Sequence, residues 1–399
     1  MSVLILCVSI IFTLVFPLLS LPVNLLGVIF AKGKIKKTYA FLSAFSLAMM
    51  AYIFVPDSTM DLYRHHQQLS LFVDFDISRM FGFIQSDFEP LHYFVKFIVA
   101  QTGDYNLLQF LIVLIGYFEL FFMVADLAEL KKMKPWMVGL LLLYVFSSVR
   151  FIDFASGLRF NFAIINLALG VYLFFFKKRK YLPYLFFALA VGMHISTLLT
   201  AIPILMFSKL KRFRELRIST LLILILLSLM PGLIVTLLAN ILGTDNGFAD
   251  MVNKMYNAYF VNGNENFGYL HGGWNLFFPV LNMIIGILVA AYMSKRLANR
   301  RYCVFVIYIA AVLLALTVNG GVFMRYGFFV TMLALPVLMD MMTTVKNKRL
   351  VLLLVSGIVS LTIVQLARTS LQMDSAGLIT EIKNNITNDT LYIVNEVKE

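Results

Sequence analysis

LLQFLIVLIGYFELFFMVADLAELKKMKPWMVGLLLLYVFSSV, residues 107–149, decides the fold class. An apolar run over 107–125 leads to Lys131, Lys132 and Lys134, and a second apolar run follows over 135–149. A bilayer crossing takes about 20 residues, and lysines gather on the cytoplasmic side of such crossings. The stretch reads as two membrane helices joined by a basic inner turn.

The rest of the chain repeats this alternation. Further basic clusters stand at Lys32/Lys34/Lys36/Lys37, Lys177–Lys180, Lys209–Arg217, Lys295–Arg301 and Lys346–Arg349, and together the six hold most of the 33 Lys and Arg. The positive-inside bias puts all six in the cytoplasm. Hydrophobic residues make up 61% of the 399 and charged residues only 14%, against about 25% charged in soluble domains. That excludes a soluble enzyme. Ten-residue strands of alternating polarity are missing, which excludes an outer-membrane barrel. The net charge of +12 belongs to the inner loops and does not point to nucleic acid. Cys7 and Cys303 lie in apolar runs and read as buried hydrophobes.

The expected fold is an all-α polytopic membrane protein. Crossings are expected over roughly 3–30, 38–55, 107–125, 135–149, 160–176, 217–242, 274–293, 302–318, 326–345 and 350–366. Tyr181–Ser208 joins two basic clusters in too few residues for two full crossings. It is expected to form a hairpin of short helices turning near Gly192-Met193-His194. The total is about twelve crossings, with both termini outside and the N-terminal helix retained. Residues 1–367 form a single transmembrane domain, with outer loops at 56–106 and 243–273. Pro90–Gln101 is expected at the outer interface. The polar tail 368–399, with its two glycosylation-type triplets from Asn385 and Asn388, is expected on the outer surface.

Most Asp and Glu residues fall on the outer side or in the tail. Five basic residues also lie there, outside the lysine clusters: Arg64, Arg150, Arg159, His194 and Arg325. Charge near membrane depth is costly and marks function. An arginine fork binds phosphate oxygens bidentately and keeps its charge, so several on one face would suit a diphosphate. The plainer alternative is that each pairs with a nearby acid, as Arg150 with Asp153, or reaches lipid phosphate. Asp57, Asp61 and Glu89 offer carboxylates on the same side, any of which can act as a general base toward a hydroxyl. Asp74-Phe75-Asp76 matches a metal-and-nucleotide pattern of only three residues. His65-His66 and His92 have no zinc-site spacing. No metal is expected.

Several short motifs then line up in order: Asp61-Leu-Tyr-Arg64, Glu89-Pro90-Leu-His-Tyr93, Gly103-Asp104-Tyr105-Asn106, Gly157-Leu-Arg159-Phe-Asn-Phe-Ala163, His194-Ile-Ser196 and Arg325-Tyr326. Their order and placement against the crossings resemble the EpsG family, which overlaps the Wzy-type polysaccharide polymerases. The family often carries Tyr after the first arginine; His65 stands there in this chain. The resemblance implies a GT-C-like membrane glycosyltransferase that polymerises a capsular, exopolysaccharide or O-antigen repeat unit. Donor and acceptor are both oligosaccharides on undecaprenyl diphosphate, no nucleotide sugar or other cofactor is used, and the reaction faces outward from the bacterial inner membrane. It implies Arg159 and Arg325, then Arg64 and Arg150, for the diphosphate, and Asp61, Glu89 and His194 for catalysis. Implied partners are membrane lipid, a flippase and a chain-length regulator, with no nucleic acid. Rival readings are a flippase or transporter of the same lipid-linked oligosaccharide, a lipid-to-acceptor glycan ligase, and a structural partner in a secretion complex. The lack of an internal repeat and the one-sided charge weigh against a transporter.

Overall fold

A computed structural model describes residues 3–198 apart from 57, 59 and 88, then 200, 201, 204, 205, 217–228, 257, 273–294, 300–315, 320–345 and 348–375. Among these residues all regular structure is helical and there is no strand. The helices are α1 (Val3–Val15), α2 (Pro17–Phe30), α3 (Gly33–Tyr52), α4 (Asp61–Phe72), α5 (Ile77–Asp87), α6 (Pro90–Thr102), α7 (Leu107–Leu130), α8 (Pro135–Ser148), α9 (Phe151–Ser156), α10 (Leu158–Phe175), α11 (Leu182–Met193), α12 (Ile218–Ser228), α13 (Gly273–Ser294), α14 (Arg300–Ala315), α15 (Gly320–Thr344) and α16 (Lys348–Ser375). A 3-10 turn spans Ile195–Thr197. Among the described residues three segments are long and apolar enough to cross a membrane: Leu107–Leu130, Leu158–Phe175 and Gly327–Thr344. The outer loop expected at 243–273 lies almost wholly outside the described residues, as does the tail beyond 375. Cys303 is buried as read from the sequence, whereas Cys7, on α1, is exposed; both are free thiols.

The chain divides into two compact units. One takes Met1–Phe81, Leu91–Leu169 and Val345–Glu399; the other takes Gly82–Pro90 and Gly170–Thr344.

The first unit is built on α3 packed against α7. The two run antiparallel and are tied at both ends. At the lysine-rich end, Lys37 Nζ donates to Asp126 Oδ1 at 3.0 Å, and Lys36 pairs with Glu129 at 3.7 Å. At the other end the Tyr52 hydroxyl donates to Asp104 Oδ2 at 2.7 Å. Small residues let the helices close up, as is common where apolar lipid gives no hydrophobic drive between helices. A Cβ on Gly27 would stand 2.2 Å from the Tyr39 ring, and one on Gly116 would stand 2.3 Å from the Phe154 ring. Helix α16 packs on α8 and α9.

The N-terminal segment departs from expectation. The single crossing read over 3–30 is two short helices, broken where Pro17 opens α2. Asn24 Nδ2 donates to Thr13 Oγ1 at 2.9 Å. In a straight helix residues eleven apart are about 16 Å apart, so the chain doubles back at Phe16–Pro17. Ser9 of α1 reaches the Tyr39 hydroxyl at 3.1 Å, and Gly27 of α2 lies against the same tyrosine. Both arms therefore end beside the lysine-rich half of α3. Arms of 13 and 14 residues measure about 20 Å, short of the ~30 Å core. Neither arm alone is long enough to span that core. A seam of small hydroxyls holds the doubled-back pair in place: Asn24 Nδ2 also reaches Ser20 and Ser46, and Ser20 and Ser46 bond each other at 3.0 Å.

In the second unit Gly170 accepts the Phe187 ring of α11, and Phe175 stacks on Phe305 at 5.4 Å. Tyr302 donates to the Leu333 carbonyl at 2.6 Å, joining α14 to α15. Helix α11 ends at Met193, and His194 is extended at φ −153°, ψ 108°. The chain thus breaks at the position read as the hairpin turn. The return arm lies mostly outside the described residues.

Gly27→Ala should lower stability by about 1–3 kcal/mol through overpacking, read as a fall in thermal midpoint in detergent. An unchanged midpoint would refute the close approach of α2 to Tyr39.

Candidate functional site

Helix α4 begins the site in the first unit. Leu62, His65, Leu69 and Phe72 share its buried face, at helical spacing. Asp61 and Arg64 lie on the exposed face and bond each other. An exposed pair of this kind adds little stability.

The motif Gly103-Asp104-Tyr105-Asn106 explains how α4 is held. Gly103 sits at φ +76°, a conformation open to glycine without strain. It turns the chain so that Asp104 Oδ1 accepts the Asn106 amide at 3.0 Å while Oδ2 accepts Tyr52. Asn106 Oδ1 accepts Gln109 Nε2 at 3.1 Å, and Gln109 Oε1 contacts His66 Nε2 at 3.0 Å. One polar chain thus links α3, α7 and α4. Burial lowers the pKa of His66.

Helix α6 is inverted for an interface helix. Phe94 and Ile98 point outward, while His92, Tyr93 and Lys96 are buried. Lys96 is 0% exposed. Its ammonium donates to Gln68 Oε1 and lies 5.9 Å from the Tyr93 ring centre. The His92 ring stands 5.3 Å from that of His65. Burial pushes the His65 pKa down to about 2, and the positive charges of Lys96 and Arg159 add to the effect. His65 Nδ1 is buried without a hydrogen-bond partner.

Gly157-Leu-Arg159-Phe-Asn161 ends α9 and starts α10. Asn161 Nδ2 donates to the Asp153 carbonyl at 2.7 Å. A Cβ on Gly157 would stand 2.9 Å from that oxygen, so glycine is needed for the tight passage. This fixes Arg159 in the first turn of α10. Arg150, just before α9, bonds Asp153 as the plainer alternative had it. That pairing uses only part of the guanidinium: Nη1 is buried without a hydrogen-bond partner. Buried polar groups of this kind are rare and call for a ligand or water.

The second unit carries a different pair. His194 Nδ1 lies 2.6 Å from Glu89 Oε1, across 105 positions of sequence. Glu89 is 4% exposed. The backbone fixes the imidazole from both sides. The His194 amide donates to Ala190 O at 2.9 Å, and the Thr197 amide and hydroxyl both donate to His194 O, at 3.0 and 2.8 Å. If Nδ1 carries the proton toward the carboxylate, Nε2 is the basic nitrogen. This is the arrangement by which a carboxylate orients a histidine base and steadies its imidazolium. Arg325 lies on α15 in the same unit, with its side chain outside the described residues.

A family model, that of the EpsG family, matches residues 37–379. The chain belongs to the EpsG family. Membership supports a general role as a polymerase in polysaccharide biosynthesis, and the helices make it a multi-pass membrane protein. No curated protein and no solved structure matches the chain.

Other candidates have simpler roles. Asp76 Oδ1 accepts the Arg79 amide at 2.7 Å, which caps α5. Asp57 lies outside the described residues. Among the described residues no group of three or more His, Cys, Asp or Glu is placed to hold a metal. Lys96 was missed in the sequence. Its only signal is its spacing of four from His92, which puts both on one helical face.

His65 yields a pH prediction. A histidine with a lowered pKa binds fewer protons folded than unfolded, so stability rises with pH between about 2 and 6.5 and is full above that range. Acidifying from pH 6.5 to 5 should cost about 1.4 kcal/mol per pH unit from this one group. The fall in thermal midpoint should be shallower in His65→Gln. Parallel curves for both proteins would show that His65 is not buried neutral.

Proposed function

We propose that this EpsG-family protein joins oligosaccharide repeat units carried on undecaprenyl diphosphate, at the outer face of the bacterial inner membrane. An acceptor-sugar hydroxyl attacks the anomeric carbon of the donor. The new C–O bond forms as the bond from that carbon to the phosphate oxygen breaks, and the electron pair leaves with the lipid diphosphate. The hydroxyl proton passes to His194 Nε2, and Glu89 stabilises the resulting imidazolium. The observation that carries this reading is the 2.6 Å contact between Glu89 and His194: a buried carboxylate fixes a histidine whose backbone is itself pinned.

The leaving group develops negative charge, which fixed cations stabilise in a low-dielectric site. Arg159, set in place by Gly157 and Asn161, is assigned to it, together with the incompletely bonded guanidinium of Arg150. Arg325 is assigned the same task from its motif. Arg64 and Asp61, exposed and bonded to each other, are assigned to acceptor binding. The GT-C-like character, the expected topology of inner lysine turns and outer loops, and the flippase and chain-length partners belong to the same reading.

The test is reconstitution of purified protein in nanodiscs with an undecaprenyl-diphosphate-linked repeat unit and no nucleotide sugar. A ladder of lengthening glycan is expected on a gel. Glu89→Gln and His194→Ala should each slow extension by about 10²–10⁴-fold, the range for a lost general base. Arg159→Ala and Arg325→Ala should abolish the ladder with membrane insertion intact. Normal ladders from all four variants would overturn these assignments. Movement of the lipid-linked unit across sealed vesicles without any ladder would instead establish the flippase.

A further inference from the structure

Helix α5 opens shortly after α4 and is capped by Asp76, whose Oδ1 accepts the Arg79 amide. Its apolar residues Ile77, Met80, Phe81 and Ile84 recur at helical spacing on one side, and Ser78 and Arg79 stand on the other. Met80 is buried, so one edge of the apolar side rests on the protein. The other edge is open: Ile77 is 62% exposed and Phe81 55%. Leu71 and Val73, where α4 ends, are exposed as well. Four large apolar side chains left open along one short segment mark a surface that something apolar covers.

The position of the segment identifies that cover. Gln101 Nε2 donates to the carbonyls of Phe72 at 3.0 Å and Val73 at 3.3 Å. Gln101 stands six positions before Leu107, where a segment long and apolar enough to cross a membrane begins. The Tyr52–Asp104 bond lies in the same turn and marks the end of α3. Between α4 and α5 the chain is compact: the Phe75 amide donates to the Phe72 carbonyl at 3.2 Å, and the two rings stand 5.0 Å apart. The open apolar side of α5 is therefore held near the end of a membrane helix, where the acyl core meets the headgroups. The charges beside it are mixed. Asp74, Asp76 and Arg79 are all exposed, so there is no excess of positive charge to seek an anionic lipid.

We propose that residues 71–81 form a membrane-surface segment, with Leu71, Val73, Ile77 and Phe81 among the acyl chains just below the headgroups and Ser78 and Arg79 facing water. The occupant of this surface is the phospholipid bilayer itself, and the contact is held by apolar burial. It keeps the end of α4, the helix that carries Arg64 and His65, against the lipid. The anchor needs no substrate and stands apart from the polymerase reading.

The test is nitroxide labelling of the full-length protein in phosphatidylcholine nanodiscs. Cys7 is replaced by Ser, and buried Cys303 is left in place; this protein without an added cysteine is the blank. Ile77→Cys, Ser78→Cys and Phe81→Cys are labelled one at a time. Oxygen concentrates in acyl chains, and a nickel chelate stays in water. At 77 and 81 oxygen should relax the label severalfold more than the chelate does, and at 78 the order should reverse. Preference for the chelate at all three positions would place α5 in water and overturn the proposal. Low access to both reagents at 77 and 81 would show that protein covers this surface, and would overturn it too. Adding phosphatidylglycerol or salt should leave the pattern unchanged; a pattern that needs anionic lipid at low salt would overturn the apolar basis. Should the cysteine variants not fold, Phe81→Trp gives a second reading. Brominated phosphatidylcholine should quench its fluorescence beyond the background from Trp136 and Trp274, and no added quenching would overturn the proposal.

Discussion

The antiparallel pairing of α3 and α7, tied at both ends, is the constraint on which the first unit depends. One tie is ionic, from Lys36 and Lys37 to Glu129 and Asp126, and the other is the bond from Tyr52 to Asp104. The second tie does more than close the pair. Asp104 is also the start of the chain of bonds through Asn106 and Gln109 to His66. The same short turn therefore sets the register of α3 against α7 and the placement of α4, which carries His65 inward and Arg64 outward. A membrane interior offers no water to repair a broken bond, so such ties fix geometry more firmly than their modest individual energies suggest.

The candidate chemistry draws on both units. Arg64, Arg150 and Arg159 belong to the first; Arg325 and the carboxylate–imidazole pair belong to the second. A general base must be able to take up a proton. The groups that face a diphosphate must instead keep their charge at every pH the membrane meets.

Much of this was legible in the chain. Apolar runs and lysine turns gave the helices, and Arg159, Glu89 and His194 each stood out as charge where a membrane protein needs a reason for it. Their partners were not legible. Glu89 and His194 are 105 positions apart, and nothing local to either announces the other. Asp61 and Arg64 looked equivalent to the buried candidates until their exposure and mutual bond separated them. Lys96 was hidden by composition, because one lysine on a moderately apolar helix usually points to water. Here the helix packs the other way round.

The sequence by itself determined the helical membrane class and the family, because hydropathy and motif order are local properties read along the chain. Only the tertiary structure decided that Pro17 doubles the N-terminal segment back, that Lys96 faces inward, and that His194 meets a carboxylate. Each of these depends on what a side chain touches across the fold. A short seam of Ser, Thr and Asn can turn a plausible crossing into a folded-back pair only when a neighbouring helix offers Ser46 and Tyr39 to bond.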